Sequence, residues 1–207
     1  MTDQLDKGPG RPLGFDPDAV IHELVLLFWE KGYDATTQAD MVERTGLSSS
    51  SLYNTFGDKP AIFDCVLARY NEMTAGVFEP MLTGSDGLAE LQAFIDWREA
   101  HVLEPAYGLA GCLMVTTMSE HNRREPGVRQ RIYDYRAIQR DAMSVAIDRA
   151  VANGDLTPGD TAVRSALLLA VHIGVAAAAR STDSTDDVLT MVTGMRQLID
   201  SWATNPT

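Results

Sequence analysis

The chain has 207 residues, 45% of them hydrophobic and 22% charged, with 16 glycines and 9 prolines. That balance is ordinary for one large or two small globular domains and excludes disorder, collagen and coiled-coil arrays. Its 29 acidic and 17 basic residues give a net charge of −12, which argues against nucleic acid as a partner, since binders of nucleic acid ordinarily show a basic footprint.

Residues 1–15 read as a flexible polar arm without the apolar stretch of a secretory signal. Asp16 is a good N-cap with Pro17 at the first helical position. The helix that follows shows Val20, Leu24, Leu27 and Phe28 on one face and closes at Gly32. A second, short helix starts at Thr36 and Thr37, turns Met41 and Val42 inward and stops before Gly46. Ser48 caps a third, with Leu52, Tyr53 and Phe56 inward and Gly57 at its end. Lys59 and Pro60 open a fourth, which buries Ile62, Phe63, Val66 and Tyr70. Only the turn around Gly46 and Leu47 separates helices two and three. That is the outline of a helix-turn-helix over residues 16–60, in which the second helix of the pair enters a groove, although plain bundles also contain short helix pairs.

Beyond residue 80 the helices lengthen. One runs from Asp86 through Leu88, Leu91, Phe94, Ile95 and Val102 to Pro105, and another is predicted from Leu109 to His121. Pro126 opens a long helix carrying Val128, Ile132, Tyr135, Ile138, Ala142 and Val145, stopped by Gly154. Thr157 and Pro158 read as the start of the next. Its stretch from Ala166 to Ala179 is apolar on nearly every side, yet it is shorter than a membrane span of about 20 residues and carries His172 and Gly174. No membrane is therefore expected, and the expected location is cytoplasmic. Ser184, with Asp186 and Asp187, caps the last helix, which shows Val188, Met191, Val192, Met195, Leu198, Ile199 and Trp202. A helix apolar all round must be buried all round. The last two helices thus read as half of a four-helix homodimer interface, with a purely internal core as the alternative. Strand and hairpin signals are scarce, so the predicted class is all-α.

Dividing the chain at residue 60 does not remove the acidic excess: residues 1–60 hold five basic and ten acidic residues, the remainder twelve and nineteen. All three lysines nevertheless lie in the first part. Two cysteines, Cys65 and Cys112, are too few for a disulfide framework or a four-cysteine zinc site. His101 with Glu104 and Glu120 with His121 repeat no metal-ligand spacing, so neither metal nor cofactor is expected. Gly-rich phosphate loops, Gly-x-Ser-x-Gly elbows and His-Glu-x-x-His motifs are missing, which argues against an enzyme. Cys112 and His121, on one predicted helix, would face opposite sides and make no nucleophile–base pair. Arg123, Arg124, Arg129, Arg131, Arg136 and Arg140 alternate with acids and read as a solvated, salt-bridged face.

Residues 32–63, GYDATTQADMVERTGLSSSSLYNTFGDKPAIF, resemble the DNA-binding region of the TetR/AcrR family of bacterial transcriptional regulators. The matching features are Gly32-Tyr33, Thr36-Thr37, Met41-Val42, Thr45-Gly46-Leu47-Ser48, Leu52-Tyr53, Phe56-Gly57 and Lys59. Gly10-Arg11-Pro12, Phe15-Asp16 and Leu27-Phe28-Trp29 extend the likeness over residues 10–70. The resemblance implies a three-helix DNA-binding domain followed by a larger helical ligand-sensing and dimerisation domain over 61–207. It also implies a homodimeric regulator, expected to be a repressor of a palindromic double-stranded DNA operator that a small-molecule effector releases. A helical small-molecule-binding protein with weak or lost DNA binding is the alternative, favoured by the acidic balance.

By that resemblance Thr36 and Thr37 offer hydroxyls and helix-end N–H groups to a phosphate, in addition to capping. Lys59 contacts backbone phosphate, and Tyr53 does so through its hydroxyl or else is simply a core tyrosine. Ser48, Ser49, Ser50, Ser51 and Asn54 form the recognition helix, Ser48 as its cap and Asn54 able to read adenine. The family often has Lys or Arg where Ser49 stands, and His or Tyr where Thr55 stands. Arg11 reads either as an arm for the minor groove or as a solvated tail. In the larger domain Tyr70, Met73, Trp97, Tyr107, Met114, Met118, Tyr135, Met143 and His172 are candidate pocket residues, each also an ordinary core residue; a methionine-rich lining suits a bulky apolar ligand. The Gly111-Cys112-Leu113 element is similar to one seen in a branch of the family that includes thiol sensors. Cys112 is then a ligand-site candidate near a helix start, and the lack of an adjacent basic residue favours a buried, inert thiol. Cys65 reads as core.

Overall fold

The computed structural model describes residues 14–104, 108–120 and 125–204. Among them the chain is helical: α1 Pro17–Lys31, α2 Gln38–Thr45, α3 Ser49–Phe56, α4 Lys59–Thr83, α5 Leu88–Val102, α6 Leu113–Thr117, α7 Pro126–Asn153, α8 Thr161–Ser181 and α9 Thr185–Asp200. Six of these nine helices start on a side-chain cap written in the sequence. Asp16, Thr37, Ser48, Asp58, Asp160 and Ser184 each accept a backbone N–H from the first turn that follows.

Two apolar clusters divide the chain. The first gathers Leu24, Phe28, Met41, Leu52 and Phe63 from α1–α4, and Leu113, Met114, Tyr135 and Ala176 from the larger half. The second is formed by Phe78, Leu91, Phe94, Met143, Leu168, Val188 and Met195, among others. Helix α4 serves both, with Ile62, Phe63, Val66 and Leu67 in the first and Phe78 and Met81 in the second. One continuous helix thus joins the small unit to the large one, which α7, α8 and α9 complete by packing side by side.

Three expectations are corrected. The helix predicted from Leu109 to His121 is a 3-10 turn at Gly108–Ala110 followed by the single short α6, and His121 lies outside the described residues. The break is at Gly111, whose φ of +71° is left-handed and whose hydrogen faces the backbone: a Cβ there would lie 2.5 Å from the Ala176 oxygen. Helix α8 starts at Thr161 rather than at Thr157, because Thr157 instead donates its N–H to the Trp202 oxygen and ties the chain to the end of α9. With that start α8 has 21 residues, long and apolar enough to cross a bilayer by length and composition. It is nevertheless a bundle helix. Leu168, His172, Val175 and Ala179 are buried, whereas Val163 and Leu167 stay exposed, so it is not covered all round within one chain.

Replacing Gly111 with alanine is expected to lower the unfolding free energy by about 2–3 kcal/mol in chemical denaturation, from left-handed strain plus the backbone clash. Gly76 lies on the exposed side of α4, and a methyl group added there would meet nothing within 4 Å. Its change to alanine is expected to raise stability by about 0.5–1 kcal/mol, so the pair separates backbone strain from a general intolerance of substitution.

Candidate nucleic-acid interface and effector cavity

The α2–turn–α3 unit is built by caps. Thr37 and Asp40 form a reciprocal capping box: the Thr37 N–H donates to Asp40 Oδ2 at 2.8 Å, and the Asp40 N–H donates to Thr37 Oγ1 at 3.2 Å. Gly46, left-handed at φ +68°, ends α2 and turns the chain into Ser48, which caps α3 by accepting the Ser51 N–H at 3.1 Å. Ser50, Asn54, Thr37 and Gln38 are exposed at the tip, and Ser49 and Tyr53 are half-buried there. Ser51 is also half-buried, its hydroxyl 2.9 Å from that of Ser48. Gln38 donates to Ser49 Oγ and binds the two helices together. Sequence reasoning passed over Gln38, although its place directly after the Thr37 cap was the available signal.

Thr36 is not on this surface. It is 1% exposed, and its hydroxyl donates to the Gly32 oxygen at 2.6 Å, so the side chain closes the α1 end instead of offering itself to a phosphate. The cations are also engaged. Lys31 pairs with Asp40 at 2.7 Å and Arg44 with Glu30 at 2.6 Å, while the Lys59 ammonium sits 4.2 Å above the Tyr33 ring. Burial pulls the Lys59 pKa below the usual lysine value. Arg11 lies outside the described residues.

The larger half meets this unit through three polar clamps. Arg180, at the end of α8, donates to the Trp29 oxygen at 2.8 Å, the Glu30 oxygen at 3.2 Å and the Ala110 oxygen at 3.3 Å. It thereby fills the open carbonyls at the C-terminus of α1 with a cation. Glu120 accepts the Tyr33 N–H at 2.7 Å just beyond that terminus, and burial raises its carboxyl pKa. Arg131 of α7 grips Asp64 of α4 with two bonds of 2.9 Å.

At the same junction lies a cavity of about 40 Å³. Five of the predicted pocket residues line it: Tyr70, Trp97, Cys112, Tyr135 and His172. The others do not. Met73 is 40% exposed, because its position on α4 faces outward; Met114 and Met143 are fully buried, one in each apolar cluster; Met118 is half-buried away from the cavity; Tyr107 lies outside the described residues. The lining is therefore aromatic and polar, not rich in methionine. Cys112 is buried at the start of α6, accepts the Tyr70 hydroxyl at 3.3 Å and lies 3.5 Å from the Tyr135 hydroxyl. Burial raises both phenol pKa values well above the usual tyrosine value, so both rings carry their protons. Cys65, by contrast, is half-buried at the edge of the first cluster. Arg98 lines the cavity too and is 2% exposed. Sequence reasoning missed it, although it continues the stripe Leu91, Phe94, Ile95 to Val102 at helical spacing. His172 lies opposite aromatic rings, with burial first and then the Arg98 and His101 charges pushing its pKa down to about 3.

The capping box sets a pH dependence. The Lys31 hydrogen bond, then those from Thr37, hold the Asp40 carboxyl well below the usual carboxylate range. A depressed carboxyl contributes stability above the unfolded-state value, about 3.9, and loses it as the pH falls through the folded value. Asp40→Asn is expected to be less stable than the parent at pH 7, with the difference shrinking below pH 4, as read by denaturation at the two pH values.

Comparison with known proteins gives this geometry a family. The sequence model for bacterial regulatory proteins of the tetR family matches residues 21–66, and that for the tetracyclin repressor-like C-terminal domain matches residues 87–195. The HTH-type transcriptional repressor ComR of Escherichia coli (strain K12) is 30% identical over 159 residues, which cover 76% of this chain and 75% of ComR. BdcR, an HTH-type transcriptional repressor of the same organism, is 29% identical over 122 residues, covering 59% of this chain and 62% of BdcR. Among solved structures, a cysteine mutant of the TetR family regulator CifR, complexed with 26-bp operator DNA, superposes with a TM-score of 0.79 at 22% identity, over 93% of this chain and 100% of that one. With both halves matched in order and the helix-turn-helix in place, the chain belongs to the TetR family of bacterial transcriptional regulators.

Proposed function

We propose that the chain is a homodimeric repressor that grips an inverted-repeat operator with two copies of α3 and lets go when a small molecule occupies the junction cavity. The observation that carries the reading is Trp29: its side chain lines the cavity while its carbonyl receives Arg180. A ligand that displaces the ring therefore moves the end of α1, on which α2 and α3 rest. The division into an arm at 1–15, a DNA-binding unit at 16–60 and an effector unit at 61–207 belongs to the same proposal.

In the proposed complex the two α3 helices enter successive major grooves about 34 Å apart. Ser50, Ser49 and Asn54 face the base edges, while Thr37, Tyr53 and Lys59 hold the phosphates, with Arg11 reaching from the arm. The dimer forms on α8 and α9, where Val163 is 53%, Leu167 48% and Met191 37% exposed in the single chain. Similarity to repressors named ComR and BdcR supports repression over activation. The effector shifts a two-state equilibrium, and a tenfold loss of operator affinity needs about 1.4 kcal/mol of coupling.

Selecting bound fragments from the source genome tests the reading as a whole. One recovered inverted repeat supports it, and enrichment of none returns the chain to the small-molecule-binding alternative. On the recovered site, Lys59→Ala is expected to weaken binding about equally across sequences, whereas Asn54→Ala alters base preference. Because Lys31 and Arg44 are held by acids, the dimer has few cations to give to phosphates, and the slope of log K against log salt should be no steeper than about −5. Leu167→Arg is expected to shift the protein from dimer to monomer in sedimentation at micromolar concentration and to abolish operator binding; a wild-type monomer under those conditions refutes the two-module mechanism.

A further inference from the structure

We propose that the junction cavity takes a small monocarboxylate and that Arg98 is the residue that recognises it. The proposal rests on the regulator reading for its biological setting, and its chemistry stands on the cavity itself.

Arg98 is buried on α5, and its Nε and Nη2 atoms have no hydrogen-bond partner among the described residues. Burying a guanidinium without an opposite charge is unfavourable by several kcal/mol, so folded proteins ordinarily supply a carboxylate. Here the groups bearing on its charge are Cys112, Tyr70 and Tyr135, none of them a carboxylate, and the two phenols are protonated. Among the described residues the cavity thus has a positive charge without a counter-ion, and an anion bound in it would supply one.

The two unpartnered nitrogens define the shape of that counter-ion. Nε and Nη2 lie on one edge of the planar group and match the two oxygens of a carboxylate. The same protein shows this match elsewhere: the corresponding edge of Arg131 holds Asp64 with bonds of 2.9 and 2.9 Å. His172 adds to the site without adding charge. It is 4% exposed, its Nδ1 has no partner among the described residues, and it lines the same cavity in its neutral form. One cation and neutral neighbours suit a single negative charge better than two. A cavity of about 40 Å³ holds only a few heavy atoms, and Phe78 and Trp97 wall it with apolar rings, so the acid has a short hydrocarbon end.

The test titrates the purified full-length chain with acetate, propionate and butyrate, and with the three corresponding amides, at constant ionic strength. Fluorescence reads the binding, because Trp29 and Trp97 both line the cavity. Propionate is expected to bind at least tenfold more tightly than propionamide. Arg98→Met should remove that preference and raise the Tm of the ligand-free protein, since methionine fills the space without a buried charge. A guanidinium with only a structural role would instead lower the Tm on replacement. Arg98→Lys keeps the charge without the two-nitrogen edge, folds as the parent does, and should bind propionate less tightly. The proposal is overturned if no acid binds better than its amide, if chloride competes as well as propionate, or if Arg98→Met binds propionate unchanged. Operator binding is measured separately. Carboxylate binding through Arg98 in a protein that binds no operator leaves the site standing and removes the regulator reading; a specific operator in a protein indifferent to all three acids does the reverse.

Discussion

The joint between the small unit and the larger half is closed at the C-terminus of α1. The carbonyls there point out of the helix, and a helix end inside a protein needs donors from elsewhere. Arg180 supplies them from the last turn of α8, 151 residues away in sequence. Glu120 completes the clamp from the other side by accepting the Tyr33 N–H. These are charged groups meeting backbone dipoles, bonds that are shorter and stronger than neutral ones. Gly32 and Thr36 end α1 locally, and the clamp then fixes that end against α6 and α8. Gly111 has to be glycine because the chain there passes against the backbone of α8 just one turn before Arg180. The helix-turn-helix is thus anchored to the larger half, and the first apolar cluster reflects the same attachment by drawing Leu113, Met114, Tyr135 and Ala176 into the core under α1.

The DNA-facing unit resolves the contradiction posed by its charge. An acidic protein that binds DNA must either concentrate its cations or do without many of them, and here the acids of the same unit neutralise Lys31 and Arg44. What stays at the tip is short and polar: serine hydroxyls, the Asn54 amide, Gln38 and the start of two capped helices. Groups of this kind favour close approach and geometric fit over long-range attraction. A surface so built gains little from sliding along arbitrary DNA, because counter-ion release supplies nearly all of that non-specific affinity. In the proposed regulator, low background binding is then a direct result of composition, and it comes with a slower, less steered search.

Legibility in the sequence followed the range of the interactions involved. Caps, glycine stops and apolar spacing are local, and they placed α1, α2, α3, α7 and α9 closely. The same local signals failed between residues 108 and 120, where what breaks the helix is contact with α8, and at the start of α8, where Thr157 is drawn to Trp202. The site divided in the same way. Ser48, Ser50 and Asn54 are exposed or capping because of their position in one short helix, which sequence shows. Thr36 turned inward because its hydroxyl found the Gly32 carbonyl, a bond that a general family role does not foretell. Half of the expected pocket was found by choosing large aromatic and polar side chains. Of the methionines chosen with them, Met114 and Met143 went to the cores, where a flexible apolar side chain is most useful, while Met73 faces outward. Arg98 was hidden by its type, since a charged residue on an amphipathic helix is ordinarily counted to its wet face.

That hidden charge also explains why the junction is suited to being moved. A cavity wall that contains an uncompensated cation is held in place by packing, against the preference of its own charge for solvent or an anion. Supplying the anion changes the balance between two arrangements by the difference in their affinity for it, and by nothing else. The groups closest to the change are those that form the joint. Trp29 is in the cavity wall and accepts Arg180; Cys112 is in the wall and opens α6, the helix whose end leads to Glu120. A shift of either therefore reaches both sides of the α1 clamp within one or two hydrogen bonds. No long chain of coupled residues is required, because the proposed effector cavity and the joint it must loosen share the same side chains.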